Sequence, residues 1–145
     1  MNKKQYANLV KEKSPNSNTL MDSVRAFLFG GEICAFGEVL FELYVRLGAD
    51  EKTGRAYVSL SLILIASVLT MIGVFDKIAK HAGAGTLVPI TGFSNAVTSA
   101  AIEYKSEGFI LGIGAKMFTI AGPVIVYGVT ASVVYGVIVY IFGLF

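Results

Sequence analysis

The sequence predicts an all-α polytopic membrane protein with about three full transmembrane helices and one or two broken, re-entrant half-helix segments. Hydrophobic residues make up 54% of the 145-residue chain, and the mean hydropathy is +0.68, above what a soluble domain of this length needs. Residues 56–75 contain no charged side chain, and neither do residues 117–145. About 20 apolar residues in a helix match the ~30 Å hydrocarbon thickness of a bilayer.

Residues 1–23 are predicted to form a polar cytoplasmic tail, and residues 24–145 the integral membrane domain. The tail contains four lysines, and its segment "QYANLVKEK" places Tyr6, Leu9 and Val10 on one side of a helix. Such an amphipathic helix lies on lipid headgroups. A solvated tail without regular structure is the alternative that the composition leaves open.

The first predicted span, residues 24–45, contains Glu32, Glu38 and Glu42. A carboxylate near the bilayer centre is costly and usually faces a cavity or a partner. Glu38 and Glu42 lie one helical turn apart, whereas Glu32 lies well around the helix. We therefore expect Glu32 and Glu38 either to line a solute path or to be neutralised by a basic neighbour such as Lys116, with Glu42 at the interface.

Two further full spans are predicted after the polar loop at residues 46–55. Residues 56–75 form the clearest span, and about 122–144 form the last, with 108–118 as a short or re-entrant element before it. In the last span, small residues recur at every fourth position, which permits close helix packing within or between chains. They are Gly128, Ser132 and Gly136.

The stretch "GAGTLVPITGFSN", residues 83–95, breaks an uncharged run that is otherwise long enough to cross. Its three glycines and its proline oppose one continuous helix. In hydrocarbon an unpaired backbone group costs several kcal/mol, so a broken segment must face protein or a wet cavity. The predicted geometry is a helix ending near Gly83, an extended turn from Thr86 to Gly92, and a second helix capped by Ser or Thr and starting within residues 91–94.

This re-entrant segment is the predicted solute path, since half-helix ends near the midplane bind ions and polar solutes. A plain Gly-Pro surface loop is the alternative, but Leu87, Val88 and Phe93 are poor surface-loop residues. The predicted path residues are Gly83, Gly85, Thr86, Pro89, Thr91, Gly92, Ser94, Asn95, Glu32, Glu38 and Lys116.

The distribution of lysine and arginine favours a cytoplasmic N-terminus and a broken segment that enters and leaves on one face. The cytoplasmic side then holds Lys77, Lys80 and Lys105 together with the tail, and the outer side holds the cations of residues 46–55. If residues 82–101 crossed fully, Lys105 would move outside and the asymmetry would shrink.

No pattern in the sequence predicts an enzyme, a cofactor or a metal site. There is no P-loop, "GIGA" lacks the context of a dinucleotide-binding loop, and His81 and Cys34 are each the only residue of their type. The basic tail is too small to predict nucleic-acid binding.

The motifs "GAGTLVPITGFSN", "IEYKSEGFILGIGAKMF" (102–118) and "AGPVIVYG" (121–128) resemble the stage V sporulation protein AC family of spore-forming Firmicutes. Related AE subunits share much of this core, but "QYANLVKEKSP" and "RAFLFGGEIC" (25–34) favour the AC type. Ser94 stands where the family is expected to have alanine.

The resemblance implies a multi-pass subunit of the spore inner membrane, in a channel that moves dipicolinic acid, as its calcium chelate, into the developing spore and out at germination. Gating by membrane tension, a homo- or hetero-oligomer, and partners among the AD- and AE-type subunits of the same operon are also implied. Two other hypotheses are a proton-coupled transporter subunit that uses Glu32 or Glu38, and a structural subunit that docks a soluble partner.

Overall fold

The computed structural model describes residues 18–143 together with Lys3, Gln5, Tyr6, Leu9 and Val10. Throughout this described part the chain is helical and contains no strand. From residue 18 onwards the α-helices are α1 (Thr19–Arg46), α2 (Glu51–Met71), α3 (Phe75–Ala82), α4 (Pro89–Glu103) and α5 (Ala115–Phe142). Shorter segments link them: the 3₁₀ helices Gly83–Leu87 and Lys105–Glu107, and the π-helical turn Phe109–Gly114.

The start of α1 is defined by Asn18, whose side-chain oxygen accepts a hydrogen bond from the Met21 backbone N–H at 3.5 Å. The helix thus begins before residue 24, where the membrane domain was predicted to start. In the tail, Tyr6, Leu9 and Val10 are helical and exposed. The other residues of the predicted amphipathic helix lie outside the described part, so its arrangement on a membrane remains a prediction.

Helices α1 and α2 pack as an antiparallel pair. Gly54 of α2 lies against the Phe41 ring, where an added Cβ would come within 3.2 Å, and Gly37 of α1 faces Leu62 of α2. Asp50 ends the connecting loop and caps α2 by accepting a hydrogen bond from the Thr53 N–H at 3.2 Å. Hydrogen bonds from the Thr53 side chain and backbone lower the pKa of this carboxyl.

Helix α3, the 3₁₀ segment and α4 form a helical hairpin, residues 75–103, that begins and ends near the C-terminal end of α2. Phe75 lines a pocket with Leu69 of α2, and on the returning arm Asn95 accepts a hydrogen bond from Thr70 at 2.9 Å. Between the arms, Val88 lies beside residues near the middle of α1 and α2. The hairpin therefore reaches about half the length of the helix pair and returns, and its re-entry into a membrane remains a prediction.

The prediction of a separate short element at residues 108–118 is wrong. The π-helical turn runs directly into α5, and together they make one continuous helix from Phe109 to Phe142. Pro123, which is near the predicted start of the last span at about residue 122, lies inside α5. Proline is tolerated there because neighbouring groups and local adjustment satisfy the freed backbone carbonyl in membrane helices.

Two helices in the described part are long and apolar enough to cross a membrane, Glu51–Met71 and Phe109–Phe142. They correspond to the second and last predicted spans. Helix α1 has sufficient length, with 28 residues, but its glutamates keep it outside this apolar class. A third full crossing by α1 therefore remains a prediction.

Close backbone contact between the hairpin and α1 predicts that Gly85→Ala destabilises the fold. An ideal Cβ on Gly85 would lie 2.7 Å from the Ala26 carbonyl oxygen, so main chain must move. We expect a loss of about 1–3 kcal/mol from overpacking, measured as a lower melting temperature of the purified protein in detergent. Gly122→Ala is the control, because its Cβ would meet no atom within 4 Å. Equal melting of both variants would contradict the packing described.

Candidate functional site

The 3₁₀ segment of the hairpin lies directly on the first half of α1. Gly85 lies against Ala26 and Phe29 of α1. Gly30 of α1 is also close to this segment, because an ideal Cβ on Gly30 would lie 3.6 Å from the Gly85 carbonyl oxygen. Gly92 of α4 approaches the Thr86 carbonyl oxygen as closely, at 2.8 Å from an ideal Cβ. These two glycines are required because backbone meets backbone on both sides of the hairpin turn.

The turn itself is shorter than predicted, and no serine or threonine side chain caps the second helix. Only Val88 is extended, at φ −52° and ψ 127°, and α4 begins at Pro89 instead of within residues 91–94. Proline fits this first position because the missing N–H has no helical acceptor there. Gly83 ends α3 with a positive φ of 53°, so the first break is where it was predicted.

The two threonines of the turn are buried and bond to its own backbone. Thr86 donates to the Gly83 carbonyl at 3.0 Å, and Thr91 donates to the Val88 carbonyl at 3.5 Å. Gly83 follows the end of α3 and Val88 precedes the start of α4, so both carbonyls lie at helix ends. The two hydroxyls thus bond to carbonyls at the helix ends, and the Val88 carbonyl also accepts the helical hydrogen bond from the Gly92 N–H at 2.9 Å.

A relay of hydroxyl groups joins α4 to α2. Thr98 donates to Ser67 at 3.1 Å, Ser67 and Ser94 are 2.9 Å apart, and Ser94 donates to the Ile63 carbonyl at 2.9 Å. Because Ser94 gives its proton to Ile63, Ser67 must donate to Ser94. Such bonds hold membrane helices together without any hydrophobic driving force between them.

Two pockets flank the hairpin turn and share two apolar side chains. The Glu32 pocket, about 430 Å³, is lined by Glu32, Thr86 and Thr91 among mainly apolar groups. The Glu38 pocket, about 350 Å³, contains Glu38, Arg55, Cys34 and Ser59, with Val88 and Ile90 from the hairpin. Ile33 and Leu62 line both pockets and therefore separate them.

Four of the eleven predicted path residues line these two pockets, and others lie on a different side of the hairpin. Pro89, Gly92 and Ser94 line a third, mainly apolar groove of about 680 Å³ between α2, the hairpin and α5. Asn95 faces Thr70, and Gly83 is exposed, so neither lines the Glu32 pocket. Residues of the broken segment therefore line three separate cavities: the Glu32 pocket, the Glu38 pocket and the third groove.

Lys116 lies elsewhere, and it does not neutralise Glu32 or Glu38. Its ammonium sits over the Tyr104 ring at 4.4 Å from the centroid, in a pocket between α4 and α5. Glu42 pairs with Arg46 at 3.3 Å on the exposed surface of α1, in agreement with an interfacial position.

Sequence reasoning missed Arg55, Ile33 and Leu62. Arg55 was assigned to a polar loop, but it lies in the first turn of α2 over the Phe41 ring, 4.5 Å from its centroid, and pairs with Glu51. Ile33 and Leu62 look like ordinary lipid-facing residues in the sequence. Only the packing of α1 on α2 identifies them as a barrier.

The small-residue stripe of α5 makes no contact with the rest of the described chain. No atom lies within 4 Å of an ideal Cβ on Gly128 or Gly136, and Ser132 bonds only to its own helix, at the Gly128 carbonyl. Within the described chain, the small-residue stripe therefore does not pack against another helix. Packing against another chain remains a prediction.

An all-helical chain with two apolar helices of membrane-spanning length and a broken hairpin between packed helices has the architecture of an integral membrane protein. The chain belongs to the SpoVAC/SpoVAEB sporulation membrane protein family, whose sequence profile matches residues 22–138. This confirms the resemblance found in the sequence.

Among curated proteins, the chain is similar to Stage V sporulation protein AC of Bacillus subtilis (strain 168). The two are 45% identical over 141 residues, which cover 97% of this chain and 94% of that protein. No solved structure matches the chain.

The hydroxyl relay predicts that Ser94→Ala weakens the attachment of α4 to α2. We expect a loss of about 0.6 kcal/mol, the mean for hydrogen bonds between membrane helices, and a non-additive effect in combination with Ser67→Ala. Unfolding in mixed micelles measures both values. Ser132→Ala is the control, because its hydroxyl is exposed and bonds within α5. Full additivity of the two substitutions would exclude a direct Ser67–Ser94 interaction.

Proposed function

We propose that this protein is a subunit of a channel that moves dipicolinic acid, as its calcium chelate, across the spore inner membrane during sporulation and germination. Membership of the sporulation membrane protein family supports the setting. The observation that carries the proposal is the pair of pockets flanking the hairpin turn, with Ile33 and Leu62 in the lining of both. A solute path through this chain runs from one pocket to the other.

The barrier between the two pockets has the chemistry of a hydrophobic gate. Leu62 is 7% exposed, Ile33 is half-buried, and Val88 supplies the hairpin's contribution. Apolar constrictions of this kind close a passage by excluding water, without a plug. Movement of the hairpin relative to α1 is what opens the gate in this proposal.

The chemistry of the pockets suits a compact polar solute. Their volumes, about 430 and 350 Å³, fall in the range of small-molecule sites. Dipicolinate is a rigid aromatic dianion, and its 1:1 calcium complex is formally neutral but strongly polar. The Glu38 pocket offers both a carboxylate and a guanidinium, and the Glu32 pocket offers a carboxylate, two threonines and aromatic side chains.

The proposed orientation in the membrane rests on the cations of the hairpin. Lys77 and Lys80 lie in its first arm and Lys105 just after its second, while Arg46 and Lys52 lie at the opposite end of the α1–α2 pair. The positive-inside tendency then places the hairpin ends on the cytoplasmic side of the membrane. The Glu32 pocket faces that side and the Glu38 pocket the other.

The assembly is an oligomer in this proposal, formed with AD- or AE-type subunits or with further copies of the chain. Both pockets are open at the surface, and Glu32 and Glu38 are exposed in the single chain. A carboxylate facing lipid is costly, so neighbouring protein must close the pockets. Membrane tension would favour an open state in proportion to the difference in area between the two states.

The gate predicts that Ile33→Thr makes the channel leak. The substitution replaces the ethyl group of Ile33 with a hydroxyl, which makes the constriction both wider and more polar, so water enters it. Spores with this variant as the sole copy should contain several-fold less dipicolinic acid than wild type, measured by terbium luminescence of spore extracts. Ile125→Thr, on an exposed part of α5, is the control and should leave the content normal. Normal content in the Ile33→Thr spores would contradict a gate at this position.

Coupling to protons is a second candidate, favoured by the position of Glu32 beside Thr86 and Thr91. In that case Glu32→Gln should abolish the dependence of dipicolinate flux in proteoliposomes on a pH gradient, and Glu38→Gln should not. A passive channel predicts no such dependence in the wild-type protein, so the wild-type measurement alone separates the two mechanisms.

A further inference from the structure

The pocket between α4 and α5 contains one cation and one carboxylate that do not pair with each other. Its volume is about 340 Å³, and its polar lining comes from Ser99, Glu103, Tyr104, Lys116 and Thr119. Within the described residues the ion pairs join Glu42 to Arg46 and Glu51 to Arg55, so neither Lys116 nor Glu103 has an oppositely charged partner within 4 Å. The ammonium of Lys116 and the carboxylate of Glu103 thus line the same pocket without forming an ion pair.

The ammonium of Lys116 is held in place by an aromatic ring. Lys116 is half-buried, with its Nζ 4.4 Å from the Tyr104 centroid. Tyr104 is in turn fixed against α5, because Gly112 packs on the Tyr104 carbonyl so closely that any Cβ would clash. A cation–π contact orients the ammonium but leaves its N–H groups free to donate to an anion.

The charge pattern around the pocket is typical of the boundary between lipid headgroups and hydrocarbon. Lys116 is the last charged residue before a stretch without charge that continues to the end of α5, and Glu103 is the last residue of α4. A long lysine at such a boundary reaches the phosphate layer. Below the charges the pocket is lined by Ala96, Ala100 and Ile120, which face the hydrocarbon side.

We propose that this pocket binds a phospholipid with a zwitterionic amine headgroup, such as phosphatidylethanolamine. The lipid phosphate accepts from Lys116, the lipid ammonium donates to Glu103, and the first acyl carbons lie on the alanines and Ile120. The charge pattern decides between lipids, because a purely anionic headgroup would leave Glu103 unpaired beside added negative charge. The bound lipid joins the returning arm of the hairpin to α5. This site does not depend on the proposed channel function.

Native mass spectrometry of the purified full-length protein tests the site, with phosphatidylethanolamine, phosphatidylglycerol and diacylglycerol as added probes. The wild-type protein should retain phosphatidylethanolamine several-fold better than either of the others. Lys116→Gln should weaken its retention about tenfold, the usual effect of losing one charge-assisted hydrogen bond. Glu103→Gln should remove the preference over phosphatidylglycerol.

Two further variants serve as controls for the location of the charge and for folding. Lys105→Gln removes an exposed cation at the same end of the protein but outside the pocket, and should leave retention unchanged. Lys116→Arg keeps the charge and should restore binding to within about twofold, which separates lost recognition from a folding defect. Equal retention of all three lipids by the wild-type protein, a preference for phosphatidylglycerol, or unchanged retention by Lys116→Gln would each overturn the proposal.

Discussion

The main chain of the hairpin turn finds hydrogen-bond partners among the side chains and backbone of the hairpin itself. Residues 83–88 separate α3 from α4 beside the first half of α1, and each helix end frees backbone groups. The buried hydroxyls of Thr86 and Thr91 bond to the carbonyls at the two breaks, and the Gly92 N–H bonds to the Val88 carbonyl at 2.9 Å. Within the described residues no buried side-chain polar atom lacks a partner.

The same constraint explains why glycine occurs at the two closest contacts. A backbone turn at this depth has to be covered by neighbouring protein, and Gly85 and Gly92 allow main chain to lie against main chain on both sides. The turn is consequently fixed to α1 through Gly85 and to α4 through Gly92. Val88 follows this fixed turn directly and lines the Glu38 pocket together with Ile33 of α1 and Leu62 of α2.

The break at Gly83 and the return of the hairpin were predictable because glycine, proline and the absence of charge act locally. The start of α4 was placed too late, since Thr91 and Ser94 resemble capping residues, whereas Pro89 at the first position determines the start. Residues 108–118 were misassigned because Gly122 and Pro123 look like a helix start, and a continuous helix through them is tolerated only in particular surroundings.

Other parts of the site depend on contacts between distant segments and could not be predicted from local patterns. The contact of Lys116 with Tyr104 requires the end of α4 to meet the start of α5, twelve positions apart in the sequence. The barrier formed by Ile33 and Leu62 likewise requires the α1–α2 register. In each case the residue type was compatible with several environments, and only tertiary packing selected one.

The length of the last helix has a mechanical consequence. The uncharged part of α5, residues 117–142, measures about 39 Å along its axis, against about 30 Å of hydrocarbon. Such an excess is accommodated by tilting, up to roughly 40°, or by local thickening of the bilayer. Any thinning of the surrounding bilayer would tilt the helix further, and the start of α5, which contacts the end of α4 through Lys116 and Tyr104, would move with it.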